Sequence, residues 1–592
     1  MAFKRFDLLG RQVILHTEGL ICSSPREMLG SSVFRRIVSL FCDSLRERQS
    51  PLIEPFEPPF VAGQDWMGVA DFLRAVAENP IETIARILPG TEHMTAPGTR
   101  AVLNDFVQEL YNFWRRFDRY VVLHSEPGPT SMDRRPYRAF NSTIEGLGHI
   151  VRAAYRDIAE NITGDHPNVY RQVAAGCNIG LIATPRTLPL PSPYAELLDG
   201  IPVIRQVWMT PPMIMDPPTN TRSGQFVRVD ENPLGRFRPE RTRWLCYPAR
   251  VGPMVVHVCF HAQFMGLGCA LANLFELATD DQLAQPASAL YFYGVPPEEL
   301  AGLGDSQTVF FDDETAGLLV AAVPGAERYG YFGYLKKMIL TLHNASAMKQ
   351  GLMPFHGAMV RIALRDGPEA NVLIIGDTAT GKSESLEALR LLGGSRVRRI
   401  RVVADDMGSL RIGGDGRLLA YGTEIGAFVR LDDLQQGYVF GQVDRAIIMS
   451  PHRTNARVVL PVTTLAEVLA GAPVDFLLYA NNYEPVGPDV PAIEPLPSAE
   501  RAFEVFREGQ AMSKGTTTAT GLTRCYFANI FGPPQYLALH DQLARRVFEA
   551  AYASGVYVGQ IRTQLGIDGM ATAGPQAAAE ALLELIARRG TA

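Results

Sequence analysis

Cysteine is scarce in this chain. Seven occur in 592 residues (Cys22, Cys42, Cys177, Cys246, Cys259, Cys269 and Cys525), the number is odd, and no C-x-x-C is present. Reduced thiols in a cytoplasmic protein are the simplest account. The N-terminal MAFKRFDLLGRQ has no apolar core of signal-peptide length. A clean apolar span of ~20 residues is also missing. The most apolar run, 251–275, carries His257, His261, Gln263 and Asn273 and is expected to form buried strand and helix, not a membrane segment. There is no basic excess either: the formal net charge is −6, so no global field draws the chain onto nucleic acid or an anionic membrane. No repeat period or low-complexity tract stands out.

What is present is a soluble, globular composition, 47% hydrophobic and 20% charged. The length predicts two or three domains. Residues 25–120 have helical periodicity, as in SSVFRRIVSLFCDSLRERQ and TRAVLNDFVQELYNFWRRF. Prolines crowd 183–240 and predict long loops. From 246 onward strands alternate with short helices. SLRI-GGDG-RLLAYG reads as a hairpin by its glycine turn, and late helices are expected near 534–554 and 573–589. The expected fold class is α/β with mixed sheets. The expected divisions are a largely helical region over 1–200, a second region over 201–330, and a strand-rich region over 331–592.

Asn371–Leu389 reads NVLIIGDTATGKSESLEAL: an apolar strand, a glycine turn, then a helix. Gly376, Gly381, Lys382 and Ser383 fit G-x-x-x-x-G-K-[ST], the phosphate-binding loop. In such a loop the backbone of Gly376, Asp377, Thr378, Ala379, Thr380, Gly381, Lys382, Ser383 and Glu384 would wrap the phosphates of ATP or another nucleotide. The helix N-terminus adds partial positive charge. Lys382 would reach the β- and γ-phosphates and Ser383 would hold Mg²⁺. Downstream, VVADDMGSL ends an apolar strand on two acids, Asp405 and Asp406. Adjacent carboxylates there are costly unless a cation or donor meets them. Beside a phosphate loop, nucleotide Mg²⁺ is the expected cation.

GDTATGKSESLEALRLL followed by VVADD resembles the phosphate-loop region of HPr kinase/phosphorylase. The wider pattern, over 325–560, looks more like ATP-dependent phosphoenolpyruvate carboxykinase of the same superfamily. YFGYLKKMILTLHNASAMKQGLMPFHGAMV (331–360) matches that family's paired lysines followed by a histidine at the same spacing. The resemblance implies a Mn²⁺ site of Lys337, His356 and Asp406, with Asp405 facing the nucleotide Mg²⁺. A lysine ligates only as the neutral amine, so neighbouring cations must lower its pKa. TNARVVLPVTT (454–464) resembles the segment whose arginine contacts the transferred phosphoryl, making Arg457 its counterpart. Arg222 in NTRSGQF is the nearest candidate for the arginine that binds the substrate carboxylate. QAMSKGTTTATGLTRCYF (510–527) resembles the base-binding segment, with threonines where the family has an arginine. The loop, too, departs from the family's usual GLSGTGKTTL.

Three functions are expected from these residues. The first is phosphoenolpyruvate carboxykinase or a close relative, using ATP, Mg²⁺ and Mn²⁺ with a small carboxylic-acid substrate. The second is an HPr-kinase-like enzyme acting on a small-molecule or protein hydroxyl, with Asp405 or Asp406 as base. The third is a non-catalytic nucleotide-binding regulator. The Lys337/His356 pair favours the first; the altered loop favours the second.

Overall fold

The structure, a computed structural model, describes residues 3–56, 66–125, 135–224, 226–303, 307–365, 367–377, 380–392, 394, 396–431, 443–514 and 520–589. The chain divides into two compact units, Met1–Arg186 with Pro202–Thr210, and Thr187–Ile201 with Pro211–Ala592. The expected division at 330 has no counterpart in this partition, since residues 211–592 belong to one unit.

The first unit contains the expected helices and, beyond them, a sheet. Strands β1 (Phe3–Leu9), β2 (Gln12–Thr17), β3 (Asp118–His124), β4 (Ile179–Thr184) and β5 (Val203–Met209) lie side by side in that order. β2, β3 and β4 are parallel, and β1 and β5 run antiparallel to their neighbours. The helices are α1 (Pro25–Leu29), α2 (Ser32–Glu47), α3 (Met67–Glu78), α4 (Ile81–Ile87), α5 (Pro97–Arg115) and α6 (Arg135–Thr163). Ser31 caps α2 by accepting the Phe34 N–H at 3.0 Å. The buried stripe of α2, Val33, Ile37, Phe41 and Leu45, recurs about once per turn. It joins one core with Val13, Leu15, Val121 and Leu123, which alternate along β2 and β3 onto one sheet face.

The second unit is also mixed α/β. One sheet runs in the order Trp244–Val251, Met254–His261, Ala289–Val295, Leu318–Pro324, Val309–Asp313 and Val227–Val229. The apolar run at 251–275 accordingly forms a strand and the short buried helix Met265–Ala270. Among the described residues no helix is long and apolar enough to cross a membrane. A helix buried nearly all round, α7 (Phe332–Lys349), leads into the long strand β6 (Met353–Leu364).

Strand β6 is shared by two neighbouring ladders. Its C-terminal part pairs antiparallel with β7 (Glu369–Ile375) and with β8 (Val397–Ala404); its first residues pair with β9 (Met407–Ile412). β9 forms the expected hairpin with Leu418–Gly422. β7 is parallel to Phe476–Asn481, and α8 (Lys382–Leu392) comes after β7 and a short loop. The late helices are Leu537–Ala553 and Ala573–Arg589.

Gly381, just before α8, has φ +89, and a Cβ there would stand 2.6 Å from the Thr563 side chain. Left-handed backbone and a full neighbourhood both demand glycine. Gly381→Ala is expected to destabilise the second unit by about 1–3 kcal/mol, read as a lower thermal midpoint. An unchanged midpoint would mean that the loop relaxes freely.

Candidate functional site

Two ammonium groups enter the second unit on α7. Lys336 and Lys337 sit in its second turn, and a buried ammonium such as Lys336 must be met by carboxylates. They do: Lys336 Nζ donates to Asp406 Oδ2 at 2.7 Å and lies 3.1 Å from Glu424 Oε1. The Glu424 contact is close but lacks hydrogen-bond alignment. Lys336 and Glu424 are each only 1% exposed. Burial works to lower the Lys336 pKa, but Asp406 and then Glu424 reverse it and hold it above its ordinary value. Burial alone would raise the Asp406 carboxyl; Lys336, then His356 and Lys337, outweigh it and hold it well below the usual range. Glu424 goes the other way. Burial pushes it up to about 8 against the pull of Lys336, and the neighbouring Asp406 adds to the rise.

His356 lies on β6, opposite Met407 of β9, and is 2% exposed. Its Nε2 is 3.0 Å from Asp406 Oδ1, and its Nδ1 meets the Ala528 carbonyl. A carbonyl only accepts, so Nδ1 carries the hydrogen. Nε2 then faces a carboxylate, which also only accepts. The ring therefore needs either a second proton or a cation on Nε2. Metal-ligating histidines are held in this way, with the far N–H on a backbone carbonyl.

Lys337 differs from its neighbour. Its Nζ stands 4.5 Å from the centre of the Phe531 ring. Burial first, and then the cations Arg222 and Lys336, outweigh Asp406 and push it down to about 8. Lys336 thus makes the direct pair with Asp406, while the Lys337 pKa is shifted in the direction that a neutral amine ligand requires. Sequence reasoning had to choose between adjacent lysines and assigned Lys336 no role. It also missed Glu424, a single glutamate in a glycine-rich stretch with no spacing partner to mark it. Among the described residues no group of three or more His, Cys, Asp and Glu side chains could hold a metal; the His356–Asp406 pair would need Lys337 as the third donor.

The phosphate-loop stretch is tied to this cluster through the backbone. The Gly376 N–H donates to the His356 carbonyl at 3.1 Å, and the Gly357 N–H to the Asp406 carbonyl at 2.9 Å. Lys382 folds back on the loop, donating to the carbonyls of Gly376 at 2.6 Å and Asp377 at 2.8 Å. Burial lowers its pKa, with Asp377, Asp406, Glu384 and Asp405 opposing. Thr380 Oγ1 donates to the Asp377 carbonyl at 2.7 Å, and the Thr563 hydroxyl to that of Thr380 at 2.6 Å. A Cβ on Gly376 would meet Thr380 Oγ1 at 2.4 Å, so this turn too is shaped for glycine. Ser383 is the second residue of α8; Thr378 and Ala379 lie outside the described residues. Asp405 occupies the turn between β8 and β9, and its charge is felt by Lys336, Lys382 and Glu424.

Two arginines stand beside the cluster. Arg222 lies between the Phe226 and Phe531 rings, 5.1 and 5.4 Å from their centres, and donates to the Gly224 carbonyl at 2.6 Å. Burial lowers its pKa. The Ser223 N–H donates to Tyr334 of α7 at 3.0 Å, which anchors this stretch to the helix. Arg457 begins the strand Arg457–Pro461, 5.4 Å from the Phe428 ring, and its Nε has no hydrogen-bond partner among the described residues. Tyr331 joins the two: burial raises its pKa, while Arg457 and Arg222 pull it down. The structure thus brings together Arg222, Lys337, His356, Lys382, Asp405, Asp406 and Arg457. The stretch likened to a base-binding segment forms the two-stranded sheet Gln510–Lys514 and Thr520–Arg524, and 515–519 lie outside the described residues.

No known family model matches the chain, and no curated protein matches it.

Glu424 makes stability pH-dependent. Its folded pKa of about 8 lies above the ordinary 4.5, so the folded state binds the extra proton between them. This contribution is complete below about 4.5 and is lost as pH rises through 8, with a slope of at most about 1.4 kcal/mol per pH unit. Glu424→Gln is expected to remove that slope, so its denaturation midpoint should gain on the wild type from pH 5 to 8. Parallel curves would show that Glu424 is ionised throughout.

Proposed function

We propose that the second unit transfers the terminal phosphoryl group of ATP to a small carboxylic acid, as phosphoenolpyruvate carboxykinase does with oxaloacetate. The observation that carries this reading is the setting of His356, between an accepting carbonyl and an accepting carboxylate, on the strand whose backbone also receives the first glycine of the phosphate loop. A plain phosphate loop needs no such second cation site.

The residues present fit the implied metals. A cation taking the place of a second proton on His356 Nε2 would find Asp406 ionised and Lys337 with its pKa lowered; these three would hold Mn²⁺, while Ser383 and Asp405 would serve the Mg²⁺ of the nucleotide. Bound there, the cations would supply Lewis-acid stabilisation of developing oxyanion charge. The chain's own groups do the rest. Lys382 exchanges its two loop carbonyls for phosphate oxygens. Arg457 turns its Nε, without a hydrogen-bond partner among the described residues, to the phosphoryl group in flight. Arg222, sandwiched between rings, fixes the carboxylate of the acceptor. Oxaloacetate loses CO₂, and the enolate oxygen that results attacks the γ-phosphorus, giving phosphoenolpyruvate and ADP. No protein nucleophile takes part.

The alternative, a kinase for a hydroxyl acceptor, needs a general base. Asp406 is poorly suited, because Lys336 and His356 hold it ionised and doubly engaged. That reading therefore falls to Asp405.

The direct test is ³¹P NMR of the pure protein with oxaloacetate, ATP, Mg²⁺ and Mn²⁺, with GTP and pyrophosphate in parallel. A phosphoenolpyruvate signal that vanishes in Lys337→Ala is the expected outcome. ATP binding without that product would move the assignment to a kinase of another acceptor. In the same assay Lys382→Ala should lose at least about 10²-fold in rate. His356→Ala should lose its response to Mn²⁺ while nucleotide binding persists; an unaltered Mn²⁺ response would remove the second metal site.

A further inference from the structure

The first unit contains a cavity that the proposed phosphoryl transfer does not use. It lies among α1, α2, α5, α6 and the strand β2, and its volume is about 110 Å³. A single water needs at least roughly 10–15 Å³ on this scale and a cavity of roughly 150 Å³ takes up a benzene ring, so there is room for several waters or for a short stretch of hydrocarbon chain. Protein interiors are otherwise close-packed, and few voids of this size survive in them. We propose that this cavity binds the hydrocarbon chain of a small amphiphile whose head is neutral or cationic.

The walls argue for hydrocarbon. Leu15 of β2, Ile21 ahead of α1, Leu29 of α1, and Val151 and Ile158 of α6 supply aliphatic surface. Three of the polar groups in the lining are engaged elsewhere. Trp114 Nε1 donates to the Ala175 carbonyl at 2.6 Å, the Tyr155 hydroxyl to Gln108 Oε1 at 2.5 Å, and Ser31 Oγ accepts the N-terminal N–H of α2. Water inside would find too few partners to repay its confinement, whereas an alkyl chain needs none.

The mouth argues for the head. Cys22, Glu27, Met28 and Phe34 line the cavity and are half-exposed, so it reaches the surface beside α1, as it does at Tyr111, Trp114 and Tyr155 on the α5–α6 side. Glu27 is the one charged residue in the lining. Its carboxylate is fixed by the Ser23 N–H and hydroxyl, each at 2.9 Å, so it stays at the rim as an anion. An alkyl carboxylate entering there meets like charge; an alcohol does not, and an alkylamine meets its opposite.

The test uses the full-length protein and the neutral fluorophore 1-aminoanthracene, displaced in turn by 1-octanol, octylamine and octanoate at pH 7.5. Saturable one-to-one fluorophore binding is expected, with octanol and octylamine displacing it at concentrations at least about tenfold below octanoate. Glu27→Gln, a rim change that leaves the walls intact, should bring octanoate to the level of octanol. Ala154→Trp, which fills the cavity, should weaken fluorophore binding at least about tenfold, with Val151→Phe as a milder filling variant should the first not fold. Failure of octanol to displace the fluorophore, octanoate matching octanol in the wild type, or full binding in a folded filled variant would each overturn the proposal.

Discussion

One buried ammonium holds the candidate site in register. Lys336 has been carried into the interior on a helix with no polar face, and it survives there because Asp406 and Glu424 meet it. Removing one partner of such a buried pair costs about 3–5 kcal/mol, because the other is left charged and dry. That penalty fixes three separate stretches to one another: the start of α7, the turn between β8 and β9, and the segment after the hairpin. It also separates two carboxyls of one cluster, Asp406 ionised and Glu424 inclined to keep its proton. Lys337, one residue along the same helix, is freed from pairing and loses much of its affinity for protons. Three groups of ordinary chemistry thus acquire distinct states from one another's presence.

The second organising element is β6. Its residues near 356 receive the first glycine of the phosphate loop through a backbone hydrogen bond, while the adjoining Gly357 N–H reaches back to the Asp406 carbonyl. Side-chain geometry on one half of the site is thereby transmitted to the other without passing through flexible side chains. A one-residue slip of this strand would turn His356 to the opposite sheet face and unseat the loop together with it. The proposed reaction needs phosphate and acceptor held to a fraction of an ångström, and a shared strand supplies that constraint more directly than separate loops.

Much of this second unit was legible because its signals are local. A strand, a glycine turn, Lys382 and a helix succeed one another in the chain, and so do the paired acids and the Met407–Gly422 hairpin. What could not be read was set by packing. Nothing in KK distinguishes the lysine that turns to Asp406 from the one that turns to Phe531. Glu424 becomes notable only when burial is known. The first unit concealed its sheet for a related reason: Gln12 pairs with Asp118, and Tyr120 with Ile179, across long helical stretches that dominate the local pattern. Short strands separated in this way carry no periodicity strong enough to compete with their helical neighbours.

The order in which the chain visits its two units has a consequence for biosynthesis. Residues 187–201 belong to the second unit, yet 202–210 return to complete the first, where β5 closes against β4. A ribosome releasing the chain from the N-terminus therefore cannot finish the first unit until the 187–201 segment is already outside. That segment must then wait for partners encoded beyond residue 211. For that interval the nascent protein exposes a stretch whose destination does not yet exist, including Tyr194, which later donates to Asp313. The order of the chain thus puts part of the second unit outside before the last strand of the first.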